Sequence, residues 1–255
     1  MCVRGGEVTL RRMILLFKLV LWAHILAGGV ALSVFWLPLV AKKGGKTHVR
    51  VGWVYVVAAA AIAVTGLANC ARMLTDANPS NDRAGIFLAY VGVLAGANAL
   101  IGVRALRTKK RAAPSRNLFD LAPPALLVAG GVALAAFGLF VHMALFVIFA
   151  ALGVTLGVIQ LRFWLRTPAT KHEWFFAHMA GMGGSCITTI TAFLVVNAHH
   201  FGLGSADLLV WISPGLLGGI GLKVWRSYYE RRFRGGRSRG GVASLGGAGG
   251  AGDMV

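Results

Sequence analysis

Acidic residues are scarce in this chain: 8 Asp and Glu stand against 26 Lys and Arg, a formal net charge of +18 over 255 residues. Charge of either sign is itself sparse, at 13% of residues, whereas 57% are hydrophobic and the mean hydropathy is +0.71. A water-soluble domain of this size leaves too much of its surface in water to hide so much apolar area, so hydrocarbon is the natural solvent for it. The apolar runs hold no paired carboxylates, and the chain shows neither a Ser-His-Asp constellation nor a phosphate-binding glycine loop. Ordinary hydrolase and ATP-driven mechanisms therefore lack their residues. Three cysteines, Cys2, Cys70 and Cys186, stand far apart in sequence, a spacing that supports neither a disulfide framework nor a zinc site. Nucleic acid is not an expected partner in spite of the charge. The basic residues sit between apolar runs, where they act as topology signals and as contacts for anionic lipid headgroups.

What the chain has in abundance is long apolar runs. A bilayer core of ~30 Å needs roughly 20 helical residues. Seven runs meet that length: Met13–Leu39, Val51–Met73, Ala84–Leu106, Leu121–Phe140, Met143–Leu165, Trp174–Asn197 and Leu208–Tyr228. Only Val141 and His142 separate the fourth from the fifth, which predicts a tight turn there. The first run is too long for the ~7–15 apolar residues of a signal peptide and is interrupted by Lys18 and His24, so it reads as a retained span. The expected organisation is an N-terminal tail over 1–12, an all-α bundle of seven transmembrane helices over 13–229, and an Arg/Gly-rich tail over 230–255, disordered from Gly235 onward.

Basic residues fill the first, third and fifth loops and the segment after Tyr229, whereas the intervening loops are poor in them. The positive-inside rule then places the C-terminus in the cytoplasm and the N-terminus outside. Arg4, Arg11 and Arg12 pull the other way and are outweighed by the four later segments.

Small residues let transmembrane helices approach. The G-x-x-x-G pairs Gly92–Gly96, Gly153–Gly157 and Gly215–Gly219 predict tight packing of the third, fifth and seventh helices. Pro123 and Pro124 suit the first turn of the fourth helix, and Pro214 is expected to kink the seventh.

Ionisable groups at membrane depth are costly and mark candidate sites. In the sixth run, His178, Met182, Ser185 and Thr189 follow at spacings of four, three and four, which puts them on one helical face. Gly181, Gly183 and Gly184 leave room beside it. The hydroxyls either bond to neighbouring helices or line a path for a ligand or proton, a path that would extend to Asn69 on the second span and Asn197 at the end of the sixth. His24 lies near the middle of the first span beside the small residues Ala27, Gly28 and Ala31. His48 precedes the second span. A b-type haem needs two axial ligands at similar depth on opposite sides of its ring; His48 and His178, both toward the cytoplasmic side, best meet that condition. His178 with Met182 does not, because one helix cannot supply both faces. His142, His199 and His200 read as solvated interfacial residues. Asn98 and Gln160 read as interhelical hydrogen-bonding groups.

The blocks His24-x3-Gly28, Lys43-Gly44-Gly45-x2-His48-x3-Gly52-x2-Tyr55, Thr65-Gly66, and His178-x3-Met182 followed by Thr191-Ala192-Phe193 resemble a bacterial family catalogued as domain of unknown function 2306. The likeness spans His24 to Arg226. It implies a multi-pass helical protein of the bacterial cytoplasmic (inner) membrane and supplies no activity. Three functional classes follow from the residues. One is a redox protein with a haem or quinol site near His24, His48, His178 and Met182. The others are a transporter or channel using the same polar groups, and a scaffold that assembles other membrane proteins.

Overall fold

A computed structural model of the chain describes residues 2–75, 78–203 and 208–245, with side chains described for 11–75, 78, 80–203 and 208–234. Among these residues there are eight α-helices, one 3-10 turn and no strand. Helices α1 (Cys2–Val34) and α2 (Trp36–Val40) form the first span, broken at Phe35. The others are α3 (Lys46–Met73), α4 (Pro79–Arg107), α5 (Leu118–Phe140), α6 (Ala144–Leu165), α7 (Glu173–Asn197) and α8 (Leu208–Leu245). Seven segments are long and apolar enough to cross a membrane, which makes the chain an all-helical, multi-pass membrane bundle.

Local chemistry sets the helix ends. Asn78 and Asn117 cap α4 and α5 by accepting from the amides of Ser80 and Phe119. The turn predicted near His142 is a Schellman motif. His142 takes the left-handed conformation (φ 55), and the Met143 amide reaches back to Gly138 O at 2.8 Å. At the α2–α3 loop, Gly44 has φ 76, and a Cβ on Gly45 would stand 3.0 Å from Lys42 O.

Three expectations are corrected at the ends. Helix α1 begins at Cys2, so residues 2–12 continue the first helix and are not a separate tail. Helix α5 begins at Leu118, placing Pro123 and Pro124 in its second turn, inside the helix. The backbone of α8 stays helical to Leu245, where disorder was expected from Gly235; residues 246–255 lie outside the described residues.

Helix α4 is central. It packs on α3, α5 and α7; α1 packs on α3, α6 on α5, and α8 on α7. Of the three G-x-x-x-G pairs, only Gly153–Gly157 lies at a close contact. Gly153 accepts the Tyr90 ring of α4, and a Cβ on Gly157 would stand 2.9 Å from Pro124 O of α5. Gly92, Gly96, Gly215 and Gly219 face open space. The tight α4–α7 crossing comes instead from Gly102 and Gly181: a Cβ on Gly181 would stand 2.6 Å from Asn98 O and 2.7 Å from Gly102 N. Isolated glycines on two different helices make no pattern within either one.

At one end of the bundle Phe87, Phe146, Phe149 and Trp211 stack into an aromatic core. The opposite end carries the basic loops and is tied by polar contacts. Arg104 grips Asp120, and Arg111 donates to Phe163 O, Trp164 O and Arg166 O, closing the carboxyl end of α6. Burial holds the Arg111 guanidinium below its ordinary pKa.

Candidate functional site

The basic end brings together two of the predicted histidines. The rings of His48, in the first turn of α3, and His178, on α7, have centroids 6.3 Å apart with planes at 69°. Each ring is turned by a backbone carbonyl. His178 Nδ1 donates to Gly102 O at 2.8 Å, and His48 Nδ1 donates to Pro38 O at 3.0 Å. A carbonyl oxygen only accepts, so both rings carry their proton on Nδ1 when neutral, and both Nε2 atoms keep a lone pair.

The carbonyl that holds His48 belongs to the exposed end of α2. Lys43 completes that end: its ammonium donates to Pro38 O at 2.8 Å and Leu39 O at 2.6 Å, and lies 4.4 Å from the Trp225 ring centroid. Burial lowers the Lys43 pKa from its ordinary value through desolvation. Lys109, after α4, lies 4.6 Å from the ring centroid of Trp174, one turn before His178 on α7. One turn beyond His48, Gly52 faces open space.

Met182 shares the His178 face but has a packing role. It lies against Gly102, where its sulfur would be 2.8 Å from an added Cβ, and it borders the cluster of Ala31, Tyr55, Ala58 and Cys186. Ser185 and Thr189 also point toward α3. Tyr55 Oη lies 2.9 Å from Ser185 Oγ and 3.3 Å from Thr189 Oγ1. Tyr55 and Ser185 are 1% and 2% exposed, so this is a dry interhelical bond. Thr189 also donates to its own helix, at Ser185 O, and the remaining hydroxyls, Thr188 and Thr191, donate to Gly184 O and Ile187 O.

His24 lies apart from that pair. Its Nδ1 is 3.0 Å from Thr65 Oγ1, and Thr65 donates to Ala61 O at 2.6 Å. Thr65 therefore accepts from His24, which again leaves Nε2 with a lone pair. Gly66 lets the ring approach, since an added Cβ would stand 3.3 Å from His24 Cε1. Asn69 is partly buried, about 21 Å along α3 from Tyr55 at 1.5 Å per residue. Asn197 is partly buried and donates to Phe193 O of its own helix. Neither joins the Tyr55–Ser185–Thr189 group. The three glycines of α7 do not leave room beside the polar face: Gly181 is filled by α4, Gly183 by Leu222, and Gly184 by the Asn98 side chain.

Among the described residues no group of three or more His, Cys, Asp and Glu is placed to hold a metal ion. Asn98 and Gln160 do bond across α4 and α6, at 3.0 Å. Two features carry little signal in sequence. Tyr55 sits in an ordinary apolar run, where an aromatic usually means packing. The Arg104–Asp120 pair had a readable sign, an aspartate in the first turn of a span, but its partner lies 16 residues away on another helix. Comparison with protein-family models, with curated proteins and with solved structures finds no match.

Proposed function

We propose that this chain is a redox protein of the bacterial cytoplasmic membrane, of the kind catalogued as domain of unknown function 2306, in which His48 and His178 hold a b-type haem. The spacing of the two rings carries this reading. An imidazole nitrogen binds a transition metal at ~2 Å and stands about 1 Å from its own ring centroid, so rings on opposite sides of one metal lie about 6 Å apart. The observed separation is 6.3 Å. His48 and His178 would hold the iron through their Nε2 atoms.

The surrounding residues suit the group. Pro38 O and Gly102 O take the Nδ1 protons, which orients the rings and raises the basicity of the opposite nitrogens. Lys43 and Lys109 would supply positive charge at this end for the carboxylates of the group. Gly52 leaves the helix surface beside His48 free for a flat macrocycle. When bound, haem supplies a one-electron couple, and the protein's contribution is ligation, orientation and burial. A transport path has less support, because the hydroxyls of Ser185 and Thr189 are committed to Tyr55 and to the helix backbone, with Asn69 and Asn197 apart from them.

Reduced-minus-oxidised absorbance spectra of the protein purified in mild detergent test the reading. Haem bands are expected in the wild type and in His24→Ala, and are lost in His48→Ala and His178→Ala. Absence of a bound chromophore after expression with supplied haem overturns it.

A further inference from the structure

A second site lies on the other side of α7. A cavity of about 720 Å3 opens at the basic end among α4, α6, α7 and α8. Its wall is apolar at depth, from Ile101, Leu156, Ile159 and Phe176. One polar atom there is unanswered. Gln160 is 5% exposed; its Nε2 donates to Asn98, and its Oε1 has no hydrogen-bond partner. A buried acceptor without a donor is costly, and this one belongs to a residue that lines a cavity large enough for a ligand.

The rim has the opposite character. Arg166 and Arg226 are paired with Glu173 and Glu230. Lys171, Arg232 and Arg234 also line the opening, so cations exceed carboxylates there by three. Gln160 lies six positions before Arg166, the residue that follows α6, about 9 Å along the axis. An occupant thus meets positive charge at the mouth, and an acceptor roughly two turns deeper among apolar walls. Helices α6 and α8 form no extensive packed interface, and the tail of an occupant is placed between them.

We propose that this cavity binds a single-chain anionic amphiphile. Its phosphate or carboxylate head sits among the rim arginines, a hydroxyl or N–H below the head donates to Gln160 Oε1, and its tail passes between α6 and α8. The site shares no residue with the histidine pair and stands independently of haem.

Binding to the full-length protein in non-ionic detergent, read by native mass spectrometry and by thermal shift, tests this with four probes. Lysophosphatidic acid carries both a phosphate and a hydroxyl. Hexadecyl phosphate lacks the hydroxyl, and its affinity is expected to be about fivefold weaker. Lysophosphatidylcholine lacks net charge and is expected to bind about tenfold weaker. Inorganic phosphate is expected to give no shift, which separates a lipid from a free anion. Gln160→Met should erase the preference for lysophosphatidic acid over hexadecyl phosphate. The exposed double variant Arg232→Gln with Arg234→Gln should weaken both phosphates alike. The proposal is overturned if lysophosphatidic acid binds no tighter than lysophosphatidylcholine, or if Gln160→Met keeps the hydroxyl preference. Should Gln160→Met not fold, equal wild-type affinity for lysophosphatidic acid and hexadecyl phosphate overturns it as well.

Discussion

Arg104 grips Asp120 through two N–H···O bonds, Nε to Oδ1 at 2.7 Å and Nη2 to Oδ2 at 3.1 Å. The carboxylate also accepts from Ser115 Oγ at 2.7 Å, and Asp120 is 3% exposed. One contact thereby joins α4, the loop before α5 and the start of α5.

Breaking this pair from one side leaves a charge in a dry place. Asp120→Ala should cost about 3 kcal/mol. The double replacement Arg104→Met with Asp120→Leu should cost clearly less, since no charge is stranded. Thermal unfolding of the three variants in detergent checks the order; a double variant less stable than Asp120→Ala would contradict it.

Glycine substitutions separate real contacts from sequence pattern. Gly181→Ala puts a methyl against the α4 backbone, which cannot move aside as a side chain can, and should cost about 2 kcal/mol. Gly92→Ala meets nothing within 4 Å and should leave stability level or slightly raised. Equal effects at the two positions would mean that the α4–α7 crossing is not as close as described.

The strained turn at His142 offers a gain. A non-glycine residue at φ 55 brings its Cβ against the following carbonyl oxygen, a strain that glycine lacks. His142→Gly should stabilise the bundle by about 0.5–1 kcal/mol. A fall in melting temperature would show that the His142 side chain contributes more than its backbone costs.

Lys43 should make stability depend on alkaline pH. Its pKa is lowered in the folded protein by burial, relative to an ordinary value of 10.5. Between the folded and unfolded values the unfolded chain binds more protons, so stability rises with pH across that window and is fully present above 10.5. Lys43→Met removes this dependence. Melting temperatures of both proteins from pH 8 to 10.5 should therefore diverge in favour of the wild type as pH rises; parallel curves would refute the burial account.

Much of the fold could be read in the sequence because hydrophobic length is a one-dimensional property. The boundary predicted at Met73 coincides with the end of α3, and those at Phe140, Leu165 and Asn197 coincide with the ends of α5, α6 and α7. The ends that moved, at Cys2 and Leu245, lie in polar sequence where apolar length says nothing. The His48–His178 pairing was legible because depth follows from position along a span. Contacts between helices were not. Gly102 and Gly181, Tyr55 and Ser185, and Arg104 and Asp120 meet because of how helices rotate about their axes. No periodicity within a single helix encodes that rotation relative to its neighbour.

The lack of an extensive interface between α6 and α8 has a mechanical consequence. In a bilayer, hydrocarbon must close that side, so one wall of the 720 Å3 cavity is a fluid. Its volume is then set in part by the membrane. Thinning or stretching the bilayer tilts helices at small energetic cost, and α6 and α8 are free to spread without breaking a packed interface. Occupancy of the cavity thereby becomes a function of bilayer thickness and lateral tension as well as of ligand concentration.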